Sequence, residues 1–317
     1  MHMRFTVTSS ALAAMLFAAG GSLAQNYPTK PVRILTGTPG TSVDIAARII
    51  GQGISPSLGQ PVVVDNRPGG LVAEMLAKTQ PDGYTTAVAA TTFWVTPLLQ
   101  KTNYDMKDFT PVTMLTAAPN LIVVHPSVPV KSVKELIDYA KANSGKLNYG
   151  SGPIGGGAHL AGALFAQKAG VNIVRVAYAD SGPALNGTIA GEVQMMVWSS
   201  GPMVPHIKSG RLRALAVTTA KATPLLPGIP TANDTGLPGF EVTTLVVLFA
   251  PAKAPTPVIT RLNQEIVKVL NSPDVKEKFL AMGVEVVGNT PQDASTKIRD
   301  ETVTWAKVIK DSGVKVE

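Results

Sequence analysis

Two stretches of this chain share one construction, and it limits the possible folds more than any bulk property does. In the first, the apolar run Val32-Arg33-Ile34-Leu35 reads as a short buried strand, and Gly37, Pro39 and Gly40 force a turn. The run Asp44-Ile45-Ala46-Ala47-Arg48-Ile49-Ile50 then carries apolar residues at helical spacing. Thr41 stands where an N-cap belongs, with Asp44 three residues on in capping-box register. In the second, Lys146-Leu147-Asn148-Tyr149 reads as a strand, Gly150 to Gly157 as a glycine-rich turn, and Leu160 to Phe165 as the body of a helix. A strand, a glycine turn and a helix start leave first-turn N–H groups unpaired where the helix dipole favours negative charge. Either stretch alone could be an ordinary α/β connection. Two in one chain point to an anion held from both sides.

Other chemistries fit less well. The second turn lacks the dinucleotide fingerprint with its acidic residue about 20 positions on, and no phosphate-binding P-loop occurs. Gly155-Gly156-Gly157 costs backbone entropy, which either close approach to a ligand or a merely flexible loop would explain. There is no G-x-S-x-G elbow and no cysteine, and the histidines beyond the first residues are His125, His159 and His206. His125 precedes a proline and reads as structural, and His206 reads as solvated. His159, beside the glycine turn, either orients that loop or reaches the ligand. No spacing suits a metal, and no cofactor is expected. The net charge of +7 is spread without a basic run, which speaks against nucleic acid.

The coarse order of elements is β-α-β-α-β, with strands also at Pro61–Asp65 and Tyr84–Ala90, and this predicts helices on both faces of a mainly parallel sheet. A second α/β alternation begins at the helix Val133–Asn143. The strand Leu121–Val124, ending at His125-Pro126, reads as a first crossing into another unit, and the run Val242–Phe249 is long enough to run back. The expected division is 25–124 with 246–317 as one domain and 125–245 as the other. Residues 1–24 read as a secretory signal peptide, with Arg4, the apolar stretch Ala11–Ala19 and small residues before a cleavage near Ala24. No later stretch holds the ~18 uninterrupted apolar residues of a membrane span.

The run from Tyr27-Pro28-Thr29-Lys30-Pro31 through Arg48 resembles the start of a Bug-family receptor, a periplasmic solute-binding protein of tripartite tricarboxylate transporters. Leu58-Gly59-Gln60-Pro61 through Gly69, Pro81-Asp82-Gly83-Tyr84-Thr85, His159-Leu160-Ala161 and Pro205 through Thr218 extend the resemblance over nearly the whole chain. It implies a two-domain flytrap of periplasmic-binding-protein type, with a carboxylate in the interdomain cleft held by backbone N–H groups of the two turns. It also implies a membrane permease as partner, no catalysis, and a periplasmic monomer. The site expected on the first turn is Gly37, Thr38, Gly40, Thr41, Ser42 and Asp44, joined by Thr91, Thr92 and Phe93 beyond a strand end. From the second half come Ser151, Gly155, Gly156, Gly157, His159, Tyr178 and Trp198.

The sequence departs from the family's pattern where the ligand should lie. Gly37 stands where an aromatic residue is usual, Thr41 and Ser42 where glycines continue, and Trp198 where a polar residue is frequent. A ring lost at Gly37 opens room, while Phe93, Trp94 and Trp198 offer flat apolar walls. The expected ligand is therefore a bulky carboxylate, aromatic or dicarboxylic and terephthalate-like. Two alternatives stay open: a secreted hydrolase or transferase using His159 with Ser151, and a sensor that docks on a signalling protein.

Overall fold

The computed structural model describes residues 27–312, so the expected signal peptide lies outside the described residues. Five elements open the chain: β1 (Val32–Thr36), α1 (Ser42–Leu58), β2 (Val62–Asn66), α2 (Gly69–Ala77) and β3 (Thr85–Ala90). β1 lies between β2 and β3, parallel to both. α1 buries Ala46, Ala47, Ile50, Ile54 and Leu58, the stripe that helical spacing places on one face. It stops at Gly59, whose φ of 65° is the left-handed cap conformation that glycine adopts without a Cβ penalty.

After α3 (Thr92–Leu99) the chain enters β4 (Phe109–Val124), a 16-residue strand that belongs to two sheets. Its residues up to Pro119 pair antiparallel with β9 (Thr243–Pro251), which in turn pairs with β3. From Asn120 on, β4 pairs antiparallel with β7 (Met195–Ser199) and β8 (Arg213–Val217). The second sheet is completed by β5 (Asn148–Ser151), parallel to both β7 and β6 (Val174–Ala177). The expected parallel arrangement holds for β2-β1-β3 and β6-β5-β7. The strands that cross between the sheets join antiparallel because they run back against them.

Helices cover both sheets: α4 (Val133–Ala142), α5 (Gly157–Ala169), α6 (Ser181–Ala190) and α7 (Ser200–Lys208) on the second, α8 (Thr256–Leu270), α9 (Pro273–Ala281) and α10 (Pro291–Ser312) on the first. A two-residue strand, β10 (Glu285–Val286), edges β4. The two crossings are tied side by side. Thr218 N–H donates to the Asn120 carbonyl, its hydroxyl is within 3.1 Å of the same carbonyl, and Val242 N–H donates to the Thr218 carbonyl. The Thr244 hydroxyl donates to Asn120 Oδ1 at 2.6 Å. The pairing thus changes sheets at Pro119/Asn120, inside the strand that the 124/125 division assigns whole to the first unit.

Candidate functional site

A cavity of about 210 Å³ lies between the two sheets' helices, and four helix starts open on it. From the first lobe come Gly37, Thr41, Ser42 and Val43 at the start of α1, and Thr91, Thr92 and Phe93 at the start of α3. From the second come Gly156 and Gly157 at the start of α5, and Asp180 and Ser181 at the start of α6. The amides of Ser42, Val43 and Gly157 make no bond to the carbonyl four residues back, and no acceptor among the described residues replaces it. Trp198, Trp305 and Tyr104 complete the wall with Phe93. Phe93 is fixed by stacking on Phe249, with ring centroids 4.6 Å apart. The described residues include no group of three or more His, Cys, Asp or Glu side chains arranged to hold a metal.

The first turn is held by a buried charge. Asp44 Oδ2 accepts the Gly40 amide at 2.9 Å, while Oδ1 accepts Arg48 Nε at 2.9 Å and Asn66 Nδ2 at 2.7 Å. Asn66 Nδ2 also donates to the Gly37 carbonyl at 2.6 Å. Burial alone would push the Asp44 carboxyl up, but the hydrogen bonds from Asn66, Arg48 and Gly40 outweigh it and hold it below the usual carboxylate range. Asp44 therefore does not reach the cavity; it shapes the turn from beneath. Thr41 departs from the expected cap as well, since its hydroxyl donates to the Thr38 carbonyl at 2.8 Å instead of capping α1.

The second turn is held by neutral groups and one arginine. The Gly155 amide donates to His159 Nδ1 at 3.0 Å, and the Gly156 amide to the Pro153 carbonyl at 2.9 Å. Burial, with a smaller push from Arg175, lowers the His159 pKa to about 4, so the imidazole is neutral and Nδ1 is free to accept. Arg175 Nε donates to Ser151 Oγ at 2.7 Å, and its Nη2 to the Gly152 carbonyl at 2.8 Å.

The structure therefore divides the expected site. Gly37, Thr41, Ser42, Thr91, Thr92, Phe93, Gly156, Gly157 and Trp198 line one cavity. Gly40 and Gly155 have their amides taken by Asp44 and His159. Ser151 is sealed under Arg175, and the Tyr178 hydroxyl donates to Glu192 Oε2 at 3.0 Å, outside the cavity. Thr38 turns to Asp180. Trp94 is core, fully buried near Phe249, whereas Trp305 faces the cavity. The start of α6 was missed by sequence reasoning, although Asp180-Ser181-Gly182-Pro183 carries an N-cap aspartate followed by an early proline.

The profile of the tripartite tricarboxylate transporter family receptor matches residues 46–314. A UPF0065 protein from the tcbD–tcbE intergenic region of Pseudomonas sp. (strain P51) is 37% identical over 290 residues, covering 89% of this chain and 86% of the relative. The structure of R. palustris Rpa4515 with adipate superposes with a TM-score of 0.88 at 35% identity, over 91% of this chain and 99% of that one. The periplasmic binding protein BugD gives a TM-score of 0.87 at 30% identity, over 92% and 100%. With the flytrap architecture and the cleft already in place, these matches settle the kinship: the chain belongs to the tripartite tricarboxylate transporter receptor family, the Bug-type solute-binding receptors.

Proposed function

We propose that this chain is a periplasmic receptor, exported by its N-terminal signal peptide, that captures an organic carboxylate and hands it to the membrane permease of a tripartite tricarboxylate transporter. The observation that carries the reading is the convergence of helix starts from both lobes on one cavity. Amide donors there suit a carboxylate, through charge-assisted hydrogen bonds in a site that closure would dry. The chain divides at the two crossings, near Asn120 and near Thr243, and the lobes hinge about them. The protein works as a monomer, without cofactor and without catalysis.

The rest of the wall sets the ligand class. Phe93, Trp198, Trp305 and Tyr104 offer ring faces and edges, which favour a bulky, aromatic or dicarboxylic acid of terephthalate type. The relative solved with adipate supports a carboxylate, and it makes an aliphatic dicarboxylate the natural competitor. No observation favours a hydrolase. Ser151 Oγ is engaged by Arg175 and turned to the Gly152 carbonyl, and His159 Nδ1 accepts an amide, so neither is paired with the other.

The test is a thermal-shift screen of refolded protein against mono-, di- and aromatic carboxylates. A ligand at a hundredfold excess over its dissociation constant should add about 2.7 kcal/mol. Terephthalate should stabilise more than adipate. Stabilisation by adipate alone overturns the aromatic preference, and no stabilisation by any carboxylate overturns the receptor reading.

A further inference from the structure

One carboxylate ties the two lobes together at the edge of the cavity, and it belongs to the protein. Asp180 is the N-cap of α6, and its Oδ1 accepts the Ser181 amide at 2.6 Å. Its Oδ2 accepts the Thr38 hydroxyl at 2.8 Å and lies 3.4 Å from the Thr38 amide. Thr38 sits on the β1–α1 turn of the other lobe, 142 residues away in sequence. The two elements come within van der Waals reach beside this bond. A Cβ on Gly37 would stand 3.8 Å from Asp180 Oδ2, and one on Gly182 would stand 3.6 Å from both Thr38 Oγ1 and the Pro39 carbonyl. Asp180 thus takes donors from a turn in one lobe and a helix start in the other, as a bound carboxylate would.

We propose that Asp180 is a tethered anion that clasps the β1–α1 turn to the start of α6, a positioning residue that governs how long a captured carboxylate is retained. Both of its oxygens are engaged by protein donors, which leaves the Ser42, Val43 and Gly157 amides to the ligand. A contact made only when the lobes meet slows their separation, so it acts on release and leaves capture unchanged. The inference rests on the reading of the chain as two hinged lobes, but not on the identity of the ligand.

The competing role is that Asp180 merely caps α6. Asp180→Asn separates the two, because asparagine caps a helix about as well as aspartate while losing the charge that strengthens the bond to Thr38. Thr38→Val removes the hydroxyl from the other side without touching α6. The chain has no cysteine, so Val63→Cys and Val174→Cys give two clean labelling sites. Both residues are exposed, at 52% and 42%, on the outermost strands β2 and β6 of the two sheets.

Spin-label distances between these sites, measured without added carboxylate, should include a short, clasped population in the otherwise unaltered protein. Asp180→Asn and Thr38→Val should each shift it to longer separations, and the double variant should go no further than the singles. Distributions that do not change in either variant, or shifts that add in the double variant, overturn the proposal. Adipate is the probe for the second arm. Its dissociation from Asp180→Asn should be about tenfold faster at an unchanged association rate, the size expected from one charge-assisted hydrogen bond. An unchanged dissociation rate counts against the clasp. If the unaltered protein binds no carboxylate, the receptor reading fails, and the distances still decide the clasp.

Discussion

The β1–α1 turn and the β5–α5 turn look alike in sequence and present their helix starts to the same cavity, yet they are held by different physics. In the first, a buried carboxylate gathers an amide, a guanidinium and a side-chain amide, so the turn rests on a charge. In the second, a neutral imidazole takes the glycine amide, and an arginine ties down Ser151 and Gly152. Each turn satisfies the N–H of its left-handed glycine and of the residue after it within its own lobe, and the open amides are those of the helix start, Ser42 and Val43 in one and Gly157 in the other. The donors that face the cavity are thus set by groups that do not line it.

The largest test of this contrast is Asp44→Ala. It removes three charge-assisted hydrogen bonds at once, and because Arg48 and Gly40 are exposed enough to turn to water, the loss is about 3–4 kcal/mol. His159→Ala leaves one neutral donor unsatisfied beside a small cavity, for about 2–3 kcal/mol. Denaturant unfolding of the two variants checks the ranking. Equal losses would mean that the charge in the first turn contributes nothing beyond its hydrogen bonds.

Acid and base should separate the lobes further. His159 titrates near 4 in the folded protein against an ordinary value of 6.5, so the unfolded chain binds its proton first. The stability tied to it is complete above pH 6.5 and is lost as pH falls from there through 4. His159→Gln should flatten that acid limb. In the first lobe, burial raises Glu301 on α10 to about 7 from 4.5, against the opposing effects of Lys297 and Trp94. The Trp94 indole lies near the carboxyl without a hydrogen bond of normal geometry, and Glu301 Oε2 is likewise unpaired. Here the stability is present below pH 4.5 and lost as pH rises through 7. Glu301→Gln should therefore stabilise the protein by roughly 2–3 kcal/mol at pH 8 and leave its stability near pH 4 unchanged. Melting temperatures across pH 4–8 read both variants, and a parallel displacement of either curve would refute the assignment.

Sequence reasoning reached the two turns because strand, glycine and helix period are local signals. The lines of the cavity that it found, Thr41, Ser42, Gly156 and Gly157, follow from chain direction alone. It missed what depends on a partner far along the chain. Asp44 sits in capping register, and only the approach of Asn66 and Arg48 reveals a buried hub rather than a ligand contact. The long strand β4 was hidden by Pro111 and Pro119, residues that argue against a strand interior. The register of β4 against β9 shifts between Pro111 and Thr113 and again between Met114 and Thr116, irregularities that a period-two pattern does not anticipate. Trp94, expected as a pocket wall, is core because strand-end position does not say which way a ring turns.

The smallest test compares the two left-handed glycines directly. Gly40 has φ +81° and open space where a Cβ would stand, so Gly40→Ala should carry only backbone strain, about 1–2 kcal/mol. Gly155 has φ +77°, and a Cβ there would stand 3.1 Å from both Thr96 Oγ1 and Leu99 Cδ1 of α3, across the cleft in the other lobe. Gly155→Ala should therefore show a similar strain in unfolding but a second, separate effect on closure, since the methyl wedges α3 from the second turn. The expected signature is similar stability in the two variants, with carboxylate affinity weakened at least several-fold in Gly155→Ala and little changed in Gly40→Ala. Isothermal titration beside denaturant unfolding separates the two effects. If both variants lose affinity in proportion to stability, the cleft senses strain in either turn alike, and the division between a turn that only shapes the site and one that also gates it does not hold.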